Sequence, residues 1–186
     1  MSSTPQKIPL VDPATATDQQ RNLIEAGRAG RPYVPKVYAT LANHPSMAGP
    51  WMRFAAAVLY EGTLPGRDRE TLILRAAHNC QGHYEWGQHV GWGRREGLTD
   101  AEIAGIAEGP ASGALDPWAQ LLVTAADELF SSARLSDTTW AALAERYGTE
   151  QLIEVCFTVG QYTMLAYALN SIGVTPEDGA PALGQP

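Results

Sequence analysis

No stretch of this chain shows the two-residue apolar alternation of a half-buried strand, and its apolar residues recur at helical spacing instead. Side chains share a face at i, i+3 and i+4 in a helix but at i and i+2 in a strand, so this pattern admits helices and excludes a sheet. Trp51, Phe54, Ala55, Val58 and Leu59 form one such run, and Trp118, Leu121, Leu122, Ala125 and Leu129 form another. Without strands there is no strand-turn-helix phosphate loop, which disfavours a nucleotide-binding fold.

Helix starts and stops are legible along most of the chain. Thr17 with Gln20, and Thr99 with Glu102, are capping-box pairs opening helices to about Arg28 and Glu108. Pro35 starts a short helix that stops at Asn43-His44-Pro45, since the residue before a proline avoids helical dihedrals. Ser46 is the expected cap of a helix to Tyr60, broken by Gly62 to Gly66. Further helices are expected from Arg67 or Asp68 to Asn79, from His83 to Arg95 with Gly97 as the left-handed stop, from Ser136, and from Thr149 to about Ser171. A length of 186 residues suits a single domain with a real core. We expect an all-α domain over residues 17–174, of about eight helices around a central helical hairpin, with an N-terminal arm at 1–16 and a flexible tail at 175–186.

Thirteen basic against 20 acidic residues give a formal charge of −7, the wrong sign for nucleic acid or an anionic membrane surface, so neither is an expected partner. Residues 155–176 carry no charge and are long enough to span a bilayer. Gln161, Tyr162, Thr163, Asn170 and Gly173 within that run favour a helix buried in a core or subunit interface. The two cysteines, Cys80 and Cys156, have no zinc or CxxC spacing, and the N-terminus has no secretory pattern, so we expect reduced thiols and a cytoplasmic location.

The chemistry-bearing stretch is residues 69–97. Glu85 and His89 stand four apart on one helix, sharing a face as a carboxylate and imidazole pair suited to passing a proton. A hairpin turning near Asn79 to Gly82 brings Glu70 back toward them, and Tyr84 and Trp86 flank the pair as apolar walls. Arg75 is a candidate anchor for a substrate carboxylate, though pairing with an internal acid is the commoner use of a helical arginine. His83 suits a cap or the surface better than catalysis, and it is kept as a substrate-side candidate. Trp51, Tyr60, Trp86, Trp92 and Tyr162 are either core or the lining of an aromatic pocket. No HExxH or three-ligand spacing is present, so no metal is expected.

Glu70, Tyr84-Glu85-Trp86 and His89, then Arg94, Gly97-Leu98-Thr99 and Glu102-Ile103, resemble the carboxymuconolactone decarboxylase family of the alkylhydroperoxidase D-like superfamily. Similarity extends from KIPLVDPAT at the N-terminus, through GTLPGRDRE, to the last helix. Peroxidase members carry CxxCxxxH after a glutamate; counted from Glu70, the cysteine positions here hold Gly82 and Glu85 and the histidine position holds His89. A dithiol route therefore lacks both thiols. The resemblance implies a cofactor-independent decarboxylase-type enzyme acting on a small carboxylated cyclic or lactone-type substrate. In it His89 is the proton donor, Glu85 its orienting or proton-sharing partner, and Glu70 a second relay. It also implies a homo-oligomer, a trimer or hexamer. The alternatives are an alkylhydroperoxidase-like oxidoreductase without the dithiol and a non-catalytic scaffold, the latter opposed by the presence of all three residues.

Overall fold

Helical spacing becomes helix throughout. The computed structural model describes residues 5–186, so the first four residues of the expected arm lie outside the described residues. Among those described there is no strand, and nine α-helices follow in order: α1 (Asp18–Arg28), α2 (Lys36–Leu41), α3 (Pro45–Ala56), α4 (Gly66–Asn79), α5 (His83–Arg95), α6 (Asp100–Glu108), α7 (Pro117–Ser132), α8 (Asp137–Ala144) and α9 (Thr149–Ile172). Both capping boxes form, at Thr17 and Thr99. The expected helix from Ser46 to Tyr60 is corrected at both ends. It begins at Pro45, whose fixed dihedral suits a first helical position, and after Ala56 the backbone widens into a π-helical turn at Ala57–Glu61. The Glu154 carboxylate accepts from the Thr63 and Leu64 N–H groups at 2.8 Å, pinning the chain beyond that turn to α9.

α4 is the axis of the molecule because it is apolar on several sides. Its Leu72, Ile73 and Ala76 pack with Leu122 and Ala125 of α7 and Val155 and Val159 of α9. Leu74 and Ala77, on another side, pack with Trp86 and Val90 of α5 and Ile103 and Ile106 of α6. The α4–α5 hairpin turns through Gln81, which has φ of 53°, and Gly82, whose N–H reaches back to the Ala77 carbonyl at 2.7 Å.

Buried polar ties fix what surrounds this axis. Asp68 accepts from the Tyr147 hydroxyl at 2.6 Å and the Trp118 indole at 3.0 Å. Arg75, expected as a substrate anchor, is spent within the fold. It makes a two-pronged pair with Asp127 at 2.6 and 2.9 Å and donates to the Ile106 and Ala107 carbonyls at 2.9 Å, closing the exposed end of α6. Arg75→Met removes the guanidinium from the Ile106 and Ala107 carbonyls and leaves Asp127 with the Asn79 amide at 2.7 Å in place of a charged partner, and it is expected to lower unfolding free energy by about 2–3 kcal/mol in urea titrations. A loss below about 0.5 kcal/mol, the range of ordinary surface substitutions, contradicts this structural role.

The C-terminal segment, expected as a flexible tail, is laid along α5. Trp86 Nε1 donates to the Gln185 carbonyl at 2.8 Å, and Leu183 packs on the cluster that holds Trp86. Gly87 permits this approach, since a Cβ there would stand 2.9 Å from that of Ala180. Glu177 accepts from the Lys36 N–H at 2.8 Å and from the Tyr84 hydroxyl at 3.2 Å, tying the segment to α2 and α5. α9 is the one helix among the described residues that is long and apolar enough to cross a membrane by length and composition. Its Val155, Val159, Tyr162, Ala166 and Leu169 are buried, while Ile153, Phe157, Met164 and Tyr167 are each more than half exposed.

Candidate active site

A cavity of about 70 Å³ lies where α2, α3, the π-helical turn, α5 and α9 meet. That is room for a few waters or one small molecule. Val37 and Tyr38 of α2 and Trp51 and Ala55 of α3 form one side. The π-helical turn adds Leu59 and Tyr60, and α9 adds Gln161, Tyr162 and Leu165. α5 supplies Tyr84, Glu85, Gln88, His89 and Trp92 from a single face, as their spacing requires. Tyr60 and Trp92 stand together with ring centroids 6.0 Å apart.

The hairpin brings Glu70 against α5, and the partner it meets is His89. The imidazole Nδ1 lies 2.7 Å from Glu70 Oε2, and the other Glu70 oxygen lies 3.3 Å from Arg69 Nε. Glu70 is wholly buried behind the cavity wall. A carboxylate can only accept, so it places the hydrogen on Nδ1 and leaves Nε2 as the ring nitrogen available to the cavity. The Tyr162 ring meets the imidazole edge-on at 4.8 Å and fixes its plane. Burial, with the Glu70 charge adding to it, raises the Tyr162 phenol well above its ordinary value, so it stays protonated.

Glu85 stands apart from this pair. Helical side chains lean toward the N-terminus, and its carboxylate folds back over Gly82, where a Cβ would lie 2.8 Å from Oε2. Only glycine leaves this space free. Both Glu85 oxygens are buried without a hydrogen-bond partner, and burial pushes the carboxyl up to about 7. A proton-holding group with that balance is suited to either direction of transfer near neutrality. The expected Glu85–His89 partnership is thus replaced by Glu70–His89, with Glu85 as a separate acid.

Tyr84 and Tyr162 line the cavity as expected, and three of the other four aromatic candidates do so too: Trp51, Tyr60 and Trp92. Trp86 does not, because α5 turns it to the opposite, fully buried side. His83 is exposed at the first position of α5, outside the cavity. Neither cysteine lines the cavity, and burial raises both thiols, the reverse of what an activated thiolate needs. Arg31, on the loop after α1, is a cavity residue that spacing arguments passed over. Gln161 was legible as a polar residue in the uncharged run 155–176 but had no assigned partner. No group of three or more His, Cys, Asp or Glu side chains placed to hold a metal occurs among the described residues.

The arrangement of helices is shared with solved structures. A peroxidase-related protein with an alkylhydroperoxidase AhpD core from Ralstonia eutropha JMP134 superposes with a TM-score of 0.83 at 19% identity, covering 94% of both chains. A peroxidase-related protein from Silicibacter sp. TM1040 gives 0.81 at 13% identity, over 97% of this chain and 95% of that one. A cysteine-to-alanine variant of the debrominase Bmp8, in complex with 2,3,4-tribromopyrrole, gives 0.74 at 14% identity over 95% of each chain. At such identities the likeness establishes the fold, and the fold is the all-helical alkylhydroperoxidase D-like one. Residues 45–128, which hold Glu70, Glu85 and His89, match the profile of the carboxymuconolactone decarboxylase family. None of the curated proteins matches the chain.

Proposed function

We propose that this protein is a cofactor-independent enzyme of the decarboxylase type, acting by proton transfer on a small carboxylated lactone or related ring. The observation that carries the reading is Glu85: a buried, unpartnered carboxyl pushed up to about 7, lining the same small cavity as an imidazole oriented by Glu70. In the proposed step the bond from ring carbon to carboxylate breaks, CO2 departs, and the electron pair passes into the conjugated carbonyl as a dienolate. Glu85, as the neutral acid, donates a hydrogen bond to the enolate oxygen. The proton delivered to carbon comes from the Nε2–H of His89 in its imidazolium form, which leaves the neutral ring with its remaining hydrogen on Nδ1 toward Glu70, and water restores the Nε2 proton. No oxidant or reductant enters the balance.

The test is turnover of a panel of carboxylated lactones in D2O, followed as CO2 release and as deuterium at the carbon that loses the carboxylate. One deuterium per CO2 is expected; absence of CO2 release across the panel, or release without deuterium, overturns the reading. The second reading, a peroxide-linked oxidoreductase without the dithiol, draws on the peroxidase-related relatives. It requires peroxide turnover that survives Cys80→Ser and Cys156→Ser together, whereas loss in that double variant points to a thiol route.

We further propose a homo-oligomer in a reducing compartment. Phe157 pairs edge-on with Phe54 at 5.9 Å, and both rings remain exposed on a face shared with Ile153. Apolar surface of this kind is characteristic of subunit contacts. Light scattering is expected to give a trimer or hexamer that Phe157→Glu dissociates. A wild-type monomer overturns the proposal.

A further inference from the structure

The cavity holds an unusual share of the molecule's unmet hydrogen bonding. Six buried side-chain polar atoms lack a partner among the described residues, and four of them belong to cavity residues: Trp51 Nε1, Gln161 Oε1 and both oxygens of Glu85. Buried polar atoms in native proteins are nearly always satisfied, so a concentration of orphans at one cavity describes the polar edge of what fills it. Gln161 is a strict demand because it is 3% exposed and its oxygen can only accept. Whatever meets that oxygen carries an N–H or O–H. Trp51 Nε1 can only donate and therefore meets a carbonyl or ether oxygen, while a neutral Glu85 offers one donor and one acceptor.

The cationic inventory is short. Arg69 is engaged by Glu70 and Glu96, Arg75 by Asp127, and Arg95 is stacked over the Trp92 ring at 4.8 Å. Arg31 lines the cavity and also the adjoining surface groove beside Glu177 to Ala180, which places it at the mouth. It has no carboxylate partner among the described residues, and its contacts are long ones from Nη1 to the Gly27 and Arg28 carbonyls at 3.4 and 3.5 Å. A guanidinium with free donors at the mouth of a cavity is built for one carboxylate. A cation holding a carboxylate that is about to leave as CO2 would stabilise the ground state and slow the step. Arg31 at the mouth therefore suits a carboxylate that stays on the ring.

We infer that the substrate is a small ring bearing a hydrogen-bond donor beside its carbonyl, a lactam or hydroxylated lactone, whose retained carboxylate is held by Arg31 and whose donor is read by Gln161. This rests on the proposed function only in placing the reacting molecule in this cavity and in the loss of a second carboxylate. Tyr38, Trp51, Leu59, Tyr162 and Leu165 supply the flat apolar walls that a ring of five or six atoms needs.

Binding separates this inference from the reaction itself. The probes are 5-oxopyrrolidine-2-carboxylate, which presents N–H beside carbonyl; 5-oxotetrahydrofuran-2-carboxylate, the same ring with oxygen in place of N–H; and 2-pyrrolidinone, which lacks the carboxylate. Titrations followed by NMR are expected to show the lactam acid binding about five- to tenfold tighter than the lactone acid. Arg31→Gln is expected to weaken the lactam acid about tenfold and leave 2-pyrrolidinone unchanged. Gln161→Met is expected to bring the lactam-to-lactone ratio to about one; should that variant fail to fold, the wild-type ratio still decides the donor. Equal binding of the two rings overturns the Gln161 part, and an Arg31→Gln affinity equal to wild type overturns the anchor. Absence of binding by all three probes, with the polar atoms met by water alone, overturns the whole. Selective binding without CO2 release from any substrate overturns the proposed reaction and leaves this inference standing.

Discussion

His89→Ala is expected to lower kcat/KM for CO2 release by about 10²- to 10⁴-fold, the span that a positioned proton-transfer group contributes. The loss should fall mainly on kcat, because in the proposed step the imidazole acts on the carbon as charge develops there rather than on the bound ground state. Glu70→Gln keeps the shape behind the ring but can offer an amide N–H where Nδ1 needs an acceptor, so a smaller loss with an altered pH profile is expected. Glu85→Gln removes the acid while retaining its volume over Gly82 and should also slow turnover. Full activity in all three variants on a substrate of the wild-type protein overturns the assignment. If His89→Ala loses activity while Glu70→Gln behaves as wild type, the imidazole does not depend on its 2.7 Å contact with Glu70.

Glu85 makes a second large prediction, one that needs no substrate. Its carboxyl is pushed from an ordinary 4.5 up to about 7 by burial. The folded protein therefore keeps this proton where the unfolded chain has released it, and stability declines as pH rises from about 4.5 through about 7. A shift of that size corresponds to about 3 kcal/mol once the group is fully ionised. Glutamine has no proton to lose. The stability of Glu85→Gln minus that of wild type, from urea titrations at each pH, should grow by about 3 kcal/mol between pH 4 and pH 8. Taking the difference cancels groups that titrate alike in both proteins. A flat difference contradicts the buried, unpartnered position of the carboxylate.

Signals in the chain differ in how far along it they reach. Capping boxes at Thr17 and Thr99 act within one turn and form where they were read. The placement of Glu85 and His89 at one cavity follows from four-residue spacing on α5, and the return of Glu70 follows from the α4–α5 hairpin. What the spacing missed lies across elements. Tyr84 and Trp86 both looked like walls of the site, but two residues along a helix is a rotation of about 200°, and only the packing of Trp86 against α6 decided which of the two buried rings lines the cavity. Arg75 had the right chemistry for a carboxylate and the wrong neighbour, Asp127, some fifty positions away. Arg31 had no pattern to mark it, because a loop residue acquires its role from what the fold sets beside it.

The sequence by itself determined the all-helical class, most helix boundaries, the absence of a thiol pair at the positions of a dithiol peroxidase, and the choice of Glu70, Glu85 and His89 as the residues proposed for proton transfer. Those properties depend on local periodicity, capping and residue chemistry, which are complete within a few turns of chain. Only the tertiary structure decided that His89 pairs with Glu70, that Glu85 is left alone with a raised carboxyl, and that the C-terminal segment lies along α5. Each is a contact or a burial between segments distant in sequence, set by how helices pack around α4.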